Sequence, residues 1–425
     1  MNEFSESMAW LTRAENTIPL GSQTFSKSKM SVPLGSAPLY ATKAQGARFT
    51  DLDGNEYLDF VNGLLCINLG YKDKDVDNAI KAQLEAGITF SLPHTLEAEV
   101  AELMVQLIPC AEMVRFGKNG SDATSAAIRI SRAFTQREHI AVCGYHGWQD
   151  WYIGSTTRDL GVPEATKQLT HKFTYNDLDS LRILFADKTK PLAAVIMEPM
   201  NIEAPKPGFL QEVKQLCEEN GAILIFDEMI TGFRFHLGGA QSYFGVTPHL
   251  ATFGKGMANG MPISAIVGRK DIMLKMNDVF FSGTFGGETL SLAAAKASLE
   301  KLQSRNVIEH IWQLGQRLID GFHTLNPDTN YFGIKGLAPW SFLHIENGLN
   351  SSALSIKSWL IQELCLKGIY FIGTHNLSFA HTHEDVEYLL DCYQELLPKA
   401  IELDKKGDIS NHLLGAPIEN VFKVR

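Results

Sequence analysis

The sequence predicts an α/β protein: a large domain whose mostly parallel, doubly wound sheet lies between helices, and a smaller α+β domain built from both termini. Two patterns predict it. Between residues 113 and 226, short β-rich runs alternate with amphipathic stretches of helical period, as strand–helix–strand units do. Residues 192–197 and 223–226 are also apolar with no polar alternation, which marks strands covered on both faces.

The elements follow in order. Residues 33–60 place Pro33, Pro38, Gly46 and Asp53-Gly54 between short β-branched or aromatic pieces, the turn chemistry of a small antiparallel meander. From 95 to 108, Leu96, Val100, Leu103, Met104, Leu107 and Ile108 recur at helical intervals, with Glu97, Glu99 and Glu102 between them. This amphipathic helix stops at Pro109. Next come a strand at 113–116, a helix at 121–134, a strand at 140–143, a helix at 178–185, a strand at 192–197, a helix at 207–220 and the strand from Ile223. Helical stretches at 289–303 and 384–403 flank a last region with short strands around Phe342 and Tyr370. The expected division is 1–60 and 311–425 for the small domain and 61–310 for the large one, a sheet of the seven-stranded type, with 404–425 as a loosely attached tail.

Composition narrows the function classes. The 425 residues carry 38 basic and 48 acidic side chains, a formal charge of −10, and no basic run to neutralise phosphates, so nucleic acid is not an expected partner. Six scattered cysteines without C-x-x-C spacing point to reduced thiols rather than zinc ligands, and no metal site is expected. The N-terminal stretch lacks a basic segment followed by an apolar one, and no run of about 18 apolar residues occurs, so a cytoplasmic protein without a membrane span is expected.

The chemistry-bearing residues gather at strand ends. Asp227 closes the apolar run 223–226, and Lys255 stands between Gly254 and Gly256. Singly, each has an ordinary explanation as a turn cap or a solvated loop residue. Together they suit pyridoxal phosphate chemistry, in which a lysine amine holds the cofactor aldehyde and a carboxylate keeps the pyridine nitrogen protonated. The carboxyl edge of a parallel sheet is where such a ligand binds. Gly120, Ser121 and Asp122 lie where a strand passes into a helix, either as simple caps or as an anion cup of free N–H groups. Tyr145-His146-Gly-Trp148 follows the strand at 140, with an aromatic able to stack on a planar ring or to pack within its loop. Glu198 closes the strand at 192, and the run 281–287 offers Thr284 and backbone donors as a second anion contact.

Taken in order, several stretches resemble the class III, fold type I family of pyridoxal-phosphate aminotransferases, most closely its glutamate-1-semialdehyde aminomutase branch. They are Asp51-Leu-Asp-Gly-Asn-Glu-Tyr-Leu-Asp-Phe, Gly120-Ser-Asp-Ala-Thr-Ser-Ala-Ala-Ile-Arg, Gly144-Tyr-His-Gly, Leu224-Ile-Phe-Asp-Glu-Met-Ile-Thr-Gly-Phe-Arg, Gly238-Gly-Ala-Gln-Ser-Tyr-Phe-Gly-Val-Thr-Pro, Gly254-Lys-Gly and Ala380-His-Thr-His-Glu-Asp. The resemblance implies that Lys255 forms the Schiff base, Asp227 pairs with the pyridinium nitrogen, Gly120 and Ser121 hold the phosphate, and Tyr145 stacks on the ring with His146 beside it. It also implies a homodimer in which Thr284 reaches the neighbouring subunit's phosphate. The reaction implied is transfer of an amino group from a small-molecule donor to a carbonyl acceptor.

The substrate side departs from that branch. Where the aminomutases carry an arginine in a Ser-Pro-Val-Arg-like stretch, this chain has Thr24-Phe-Ser-Lys27, a point charge in place of a forked donor. The family's Gly-x-Trp-Gly-Pro stretch reads Asn62-Gly-Leu-Leu-Cys66, and its C-terminal loop with a glutamate reads Gly373-Thr-His-Asn. Thr24, Lys27, Asn62 and His375 are therefore the candidate substrate contacts, and a polar, uncharged keto or aldehyde sugar is the expected acceptor, with glutamate-1-semialdehyde aminomutase as the alternative.

Overall fold

The computed structural model describes residues 4–419, which form two units. One holds the described residues up to Leu64, Asn68–Asp73 and those from Glu309 onward; the other holds Leu65–Ile67 and Lys74–Ile308. Strands β1 (Ala41–Gln45), β2 (Arg48–Asp51) and β3 (Glu56–Asp59) come first. They are followed by β4 (Met113–Gly117), β5 (His139–Cys143), β6 (Thr170–Lys172), β7 (Leu192–Met197), β8 (Ile223–Asp227), β9 (Leu250–Phe253) and β10 (Ser264–Gly268). The last are β11 (Phe332–Leu337), β12 (Trp340–Ile345), β13 (Ile369–Tyr370) and β14 (Thr374–His375).

In the continuous unit the sheet order is β4-β10-β9-β8-β7-β5-β6, and β10 alone runs against its neighbours. Strands β7 and β8 are buried at every position, as their unbroken apolar sequences require. Ile140, Val142, Ala194, Ile196, Ile225 and Ile266 form one core with Ala126, Ala127 and Ile130 of the helix Gly120–Thr135. Each large side chain so buried contributes about 1.5–3 kcal/mol. Strands β6, β9 and β10, which complete the sheet, are short and carry weak local signals. Because β4, β5, β7, β8 and β9 are parallel, their carboxyl ends share one edge, and that edge receives the residues of interest.

In the unit built from both ends of the chain, β1, β2 and β3 form the expected antiparallel meander, turning at Gly46 (φ 60°) and Gly54 (φ 89°). Strand β13 joins β3 in parallel, Ile369 opposite Leu58, and β11, β12 and β14 form a second sheet. The reading of 404–425 as a loose tail is corrected up to residue 419. Asp404 is buried and accepts from Tyr331 Oη (2.8 Å) and from the N–H groups of Leu349 (2.7 Å) and Asn350 (3.0 Å). Ile418 N–H donates to Ser358 Oγ at 2.9 Å, and Ile409 is fully buried. Residues 420–425 lie outside the described part. Among the described residues, no helix is long and apolar enough to cross a membrane, and no group of three or more His, Cys, Asp or Glu is arranged to hold a metal ion.

Candidate active site

Each parallel strand delivers its residue to the shared edge. Asp227, the last residue of β8, is 4% exposed. Its Oδ2 lies 2.8 Å from His146 Nδ1, and its Oδ1 accepts from Met229 N–H (3.2 Å) and Thr252 Oγ1 (3.3 Å). The second ring nitrogen of His146, Nε2, lies 3.1 Å from the Cys143 carbonyl. The ring is thus held between the Asp227 carboxylate and the Cys143 carbonyl, one contact at each nitrogen. The adjacent acid, Glu228, points to the opposite side. It accepts from Thr231 Oγ1 (2.6 Å) and from the N–H groups of Ala240 (2.6 Å) and Gln241 (2.9 Å), holding the following loop.

Lys255 follows β9 with φ 40°, a left-handed conformation that a non-glycine residue holds only under local constraint. Its ammonium is pushed down by burial; Cys66, Glu198 and Asp227 act against that, and Arg234 reinforces it. A lysine disposed to be neutral is a lysine disposed to act as nucleophile or base. Glu198, at the end of β7, accepts from Tyr145 N–H (3.3 Å) and Asn201 Nδ2 (2.6 Å). Burial and the Asp227 carboxylate push it up to about 7, against the pull of His146 and Lys255. The backbone at Gly144 (φ 106°) passes so close to Glu198 that a Cβ there would overlap the carboxylate.

At the end of β4, the helix Gly120–Thr135 is capped by Asn119 and Asp122 in a reciprocal box, Asp122 N–H to Asn119 Oδ1 (3.3 Å) and Asn119 N–H to Asp122 Oδ2 (3.0 Å). The cap falls on Asn119, which frees Ser121 for another role: its Oγ accepts from Trp148 N–H at 3.2 Å. Thr124 Oγ1 donates to the His146 carbonyl at 2.9 Å, so the helix start fixes the Tyr145–Trp148 segment from two points. A Cβ on Gly120 would lie 3.1 Å from Met229 Sδ, and one on Gly254 would lie 2.8 Å from the same sulfur. Two glycines thus keep a cradle open around Met229, beside a helix N-terminus suited to an anion. Tyr145 is half-exposed and edge-on to Tyr152 at 5.6 Å.

The structure therefore brings Gly120, Ser121, Asp122, Tyr145, His146, Glu198, Asp227 and Lys255 to one sheet edge, and the residues fit a flat, phosphate-bearing ring with a basic nitrogen. The profile of the family described as "Aminotransferase class-III" matches residues 30–377. The chain belongs to the class III aminotransferases. It is 36% identical over 420 residues to a glutamate-1-semialdehyde 2,1-aminomutase of Alkaliphilus oremlandii, covering 92% of this chain and 98% of that relative. To a 3-aminobutyryl-CoA aminotransferase of Cloacimonas acidaminovorans it is 33% identical over 413 residues, covering 93% and 97%. The FumI protein of Sphingopyxis sp. MTA144, solved in its PLP internal aldimine form, superposes with a TM-score of 0.87 at 28% identity over 97% of this chain and 99% of that one. This class III aminotransferase is a fold type I enzyme, and its cofactor is pyridoxal 5'-phosphate.

The remaining candidates stand elsewhere. Thr284 is exposed on the loop that precedes the helix Thr289–Ser304. Thr24 and Lys27 are exposed in the terminal-built unit, where Ser26, Lys27 and Ser28 line a cavity of about 240 Å3. Asn62 is buried, and its N–H donates to Asp59 Oδ1 at 2.9 Å. His375 is fully buried, with Nδ1 3.0 Å from Ser341 Oγ and Nε2 2.8 Å from Tyr393 Oη, and burial pushes its ring down to about 3. Its neutral ring is thus committed to two hydroxyls inside the fold. Sequence reasoning passed over Met229, Thr252 and Asn201. Thr252 and Asn201 each stand within three residues of a strand-end acid or lysine, and Met229 lies two after Asp227. That spacing was the available signal.

Proposed function

We propose that this class III aminotransferase carries an amino group between two separate molecules, from an amino-acid donor to a polar, uncharged carbonyl acceptor such as a keto or aldehyde sugar. Pyridoxal phosphate, when bound, supplies an electron sink and a temporary carrier for the amino group. The chain supplies the rest. Asp227, held by the His146 ring at 2.8 Å, offers its carboxyl to the ring nitrogen. The Gly120–Ser121 turn and the helix dipole hold the phosphate, and Tyr145 covers the ring face. Lys255, disposed to be neutral, moves the proton at the substrate carbon.

The observation that carries the substrate reading is the cavity beside Lys27. The resemblance assigns the Thr24–Lys27 segment to the substrate, and the lining around it combines Ser26, a single cation at Lys27 and the Asp59 carboxylate with the aromatic walls of Tyr40, Phe49, Tyr71 and Tyr370 and contains no arginine. Such a lining favours a hydroxylated ring over a second carboxylate. The aminomutase reading keeps its own support in the 36% identity to a relative of that name. We further propose a homodimer in which Thr284 serves the neighbouring subunit, and a cytoplasmic setting, supported by six cysteines that form no disulfide.

The test is to convert the protein to its pyridoxamine form and screen keto acids, semialdehydes and keto sugars for return of the visible absorbance of the lysine-bound cofactor. Keto or aldehyde sugars are expected to restore it. Efficient formation of aminolevulinate from glutamate semialdehyde with no added donor refutes the sugar reading, and Lys255→Ala should lose both the absorbance and all turnover.

A further inference from the structure

One loop is gripped at one end by β4 and at the other by Lys118, the residue that follows that strand. Arg115 of β4 donates from Nη2 to the Phe281 carbonyl at 3.1 Å. Three residues on, Lys118 Nζ lies 2.7 Å from Glu288 Oε2 and 3.2 Å from Ser291 Oγ. Between these roots Ser282, Gly283, Thr284 and Phe285 are exposed, and the loop's own backbone bonds are Gly286 N–H to Gly283 O and Glu288 N–H to Phe285 O. Beneath it lies a cavity of about 370 Å3, bounded by Phe116, by Glu97 and Ala101 of the helix Thr95–Leu107, and by Gly283, Gly286 and Gly287. A strap with a void under its middle takes its position from its ends.

The Lys118 end is the firmer one. Its ammonium and the Glu288 carboxylate are only 23% and 12% exposed, so solvent screens the pair less than it would a surface ion pair. Glu288 also caps the helix Thr289–Ser304, accepting Leu290 N–H at 2.6 Å. Burial opposes its charge, but hydrogen bonds from Lys118 and Ser291 outweigh burial and hold the carboxyl below its ordinary range. Lys118 belongs equally to the phosphate-facing turn. It immediately precedes the Asn119 cap, and its N–H donates to Asp122 Oδ2 at 2.9 Å.

We propose that Lys118 and Glu288 form a positioning latch that fixes the Thr284 loop against the phosphate-binding turn, so that capture of a phosphate at the turn is linked to order in the loop. The latch rests on the cofactor and Thr284 assignments above. Neither residue touches the ligand; both act through the segments they join.

The experiment uses the full chain freed of cofactor. Binding of pyridoxamine phosphate and of pyridoxamine is measured by calorimetry, and deuterium exchange is followed at the loop amides 282–287. Lys118→Met and Glu288→Gln are each expected to weaken pyridoxamine phosphate about tenfold, to leave pyridoxamine within about twofold, and to speed exchange in the loop. Lys118→Arg, which keeps a cation of similar reach, should stay near wild type on both measures, and the double variant should lose no more than either single one. Unchanged phosphate affinity and loop exchange in both single variants overturn the latch. So does an equal loss for both ligands, or a Lys118→Arg that fails as Lys118→Met does. A wild-type protein that binds neither ligand instead removes the cofactor assignment on which the latch rests, so the two failures are told apart.

Discussion

Glu198→Gln isolates the electrostatic tension in the site. In the folded chain this carboxyl is raised from its usual 4.5 to about 7 by burial first and by the Asp227 charge second. A raised carboxyl contributes stability that is fully present below about pH 4.5 and is lost as pH rises through about 7. At about 1.4 kcal/mol per pH unit, the full loss is on the order of 3 kcal/mol, and partial solvent contact of the side chain reduces it to about 2. Glutamine keeps an oxygen for Tyr145 N–H or Asn201 Nδ2 and does not titrate. The assay is urea unfolding of cofactor-free wild type and variant at pH 5 and pH 8.5, where the titrations of all other groups cancel in the comparison. The variant should gain about 2 kcal/mol on wild type between the two pH values. If the two proteins keep the same stability difference at both, Glu198 ionises as an ordinary surface carboxyl and the account of the site's charge balance is wrong.

Two further outcomes follow from particular contacts. His146→Phe removes the ring nitrogen 2.8 Å from Asp227 Oδ2 and leaves the buried carboxylate with only Met229 N–H and Thr252 Oγ1; the cofactor-free protein should lose about 1–3 kcal/mol by urea unfolding, and cofactor affinity should fall by about tenfold or more, read by absorbance titration. Asp404→Ala strands the buried Tyr331 hydroxyl and releases two part-buried N–H groups, and should destabilise the terminal-built unit by roughly 2 kcal/mol while the cofactor spectrum stays normal, measured by urea unfolding and by proteolysis near residue 404.

Much of the catalytic edge was legible because burial on two faces leaves a plain mark: an unbroken apolar run such as 223–226 has few other homes, and the first polar residue after it falls at the strand's carboxyl end. Strand β10 was not legible. Ser264, Ala265 and Gly268 give little β signal, and the direction of a strand is decided by its connection rather than by its composition. The cap of the helix Gly120–Thr135 was ambiguous for a different reason: Asn119, Ser121 and Asp122 can all cap, and Trp148 N–H, 27 residues away, decides which is used elsewhere. His375 shows the same limit. Its partners Ser341 and Tyr393 lie 34 and 18 residues distant, and nothing local reveals that a polar loop residue will be enclosed. The end of the chain read as loose because its anchors, Ser358 and Gln362, are on a helix some 50 to 60 residues earlier.

The pairing of β13 with β3 sets an order on biosynthesis. A nascent chain emerges from its N-terminus, and the whole stretch 74–308 is contiguous, so the catalytic unit has all its strands outside the ribosome while the other unit still lacks half of its own. The meander of β1, β2 and β3 must wait with one edge open until Ile369 arrives to close it against Leu58. During that interval the exposed edge of β3 is a template for any other extended chain, and it carries charge at its start, Glu56, and at its end, Asp59. That sheet therefore closes only late in synthesis, after every strand of the contiguous unit has already been made.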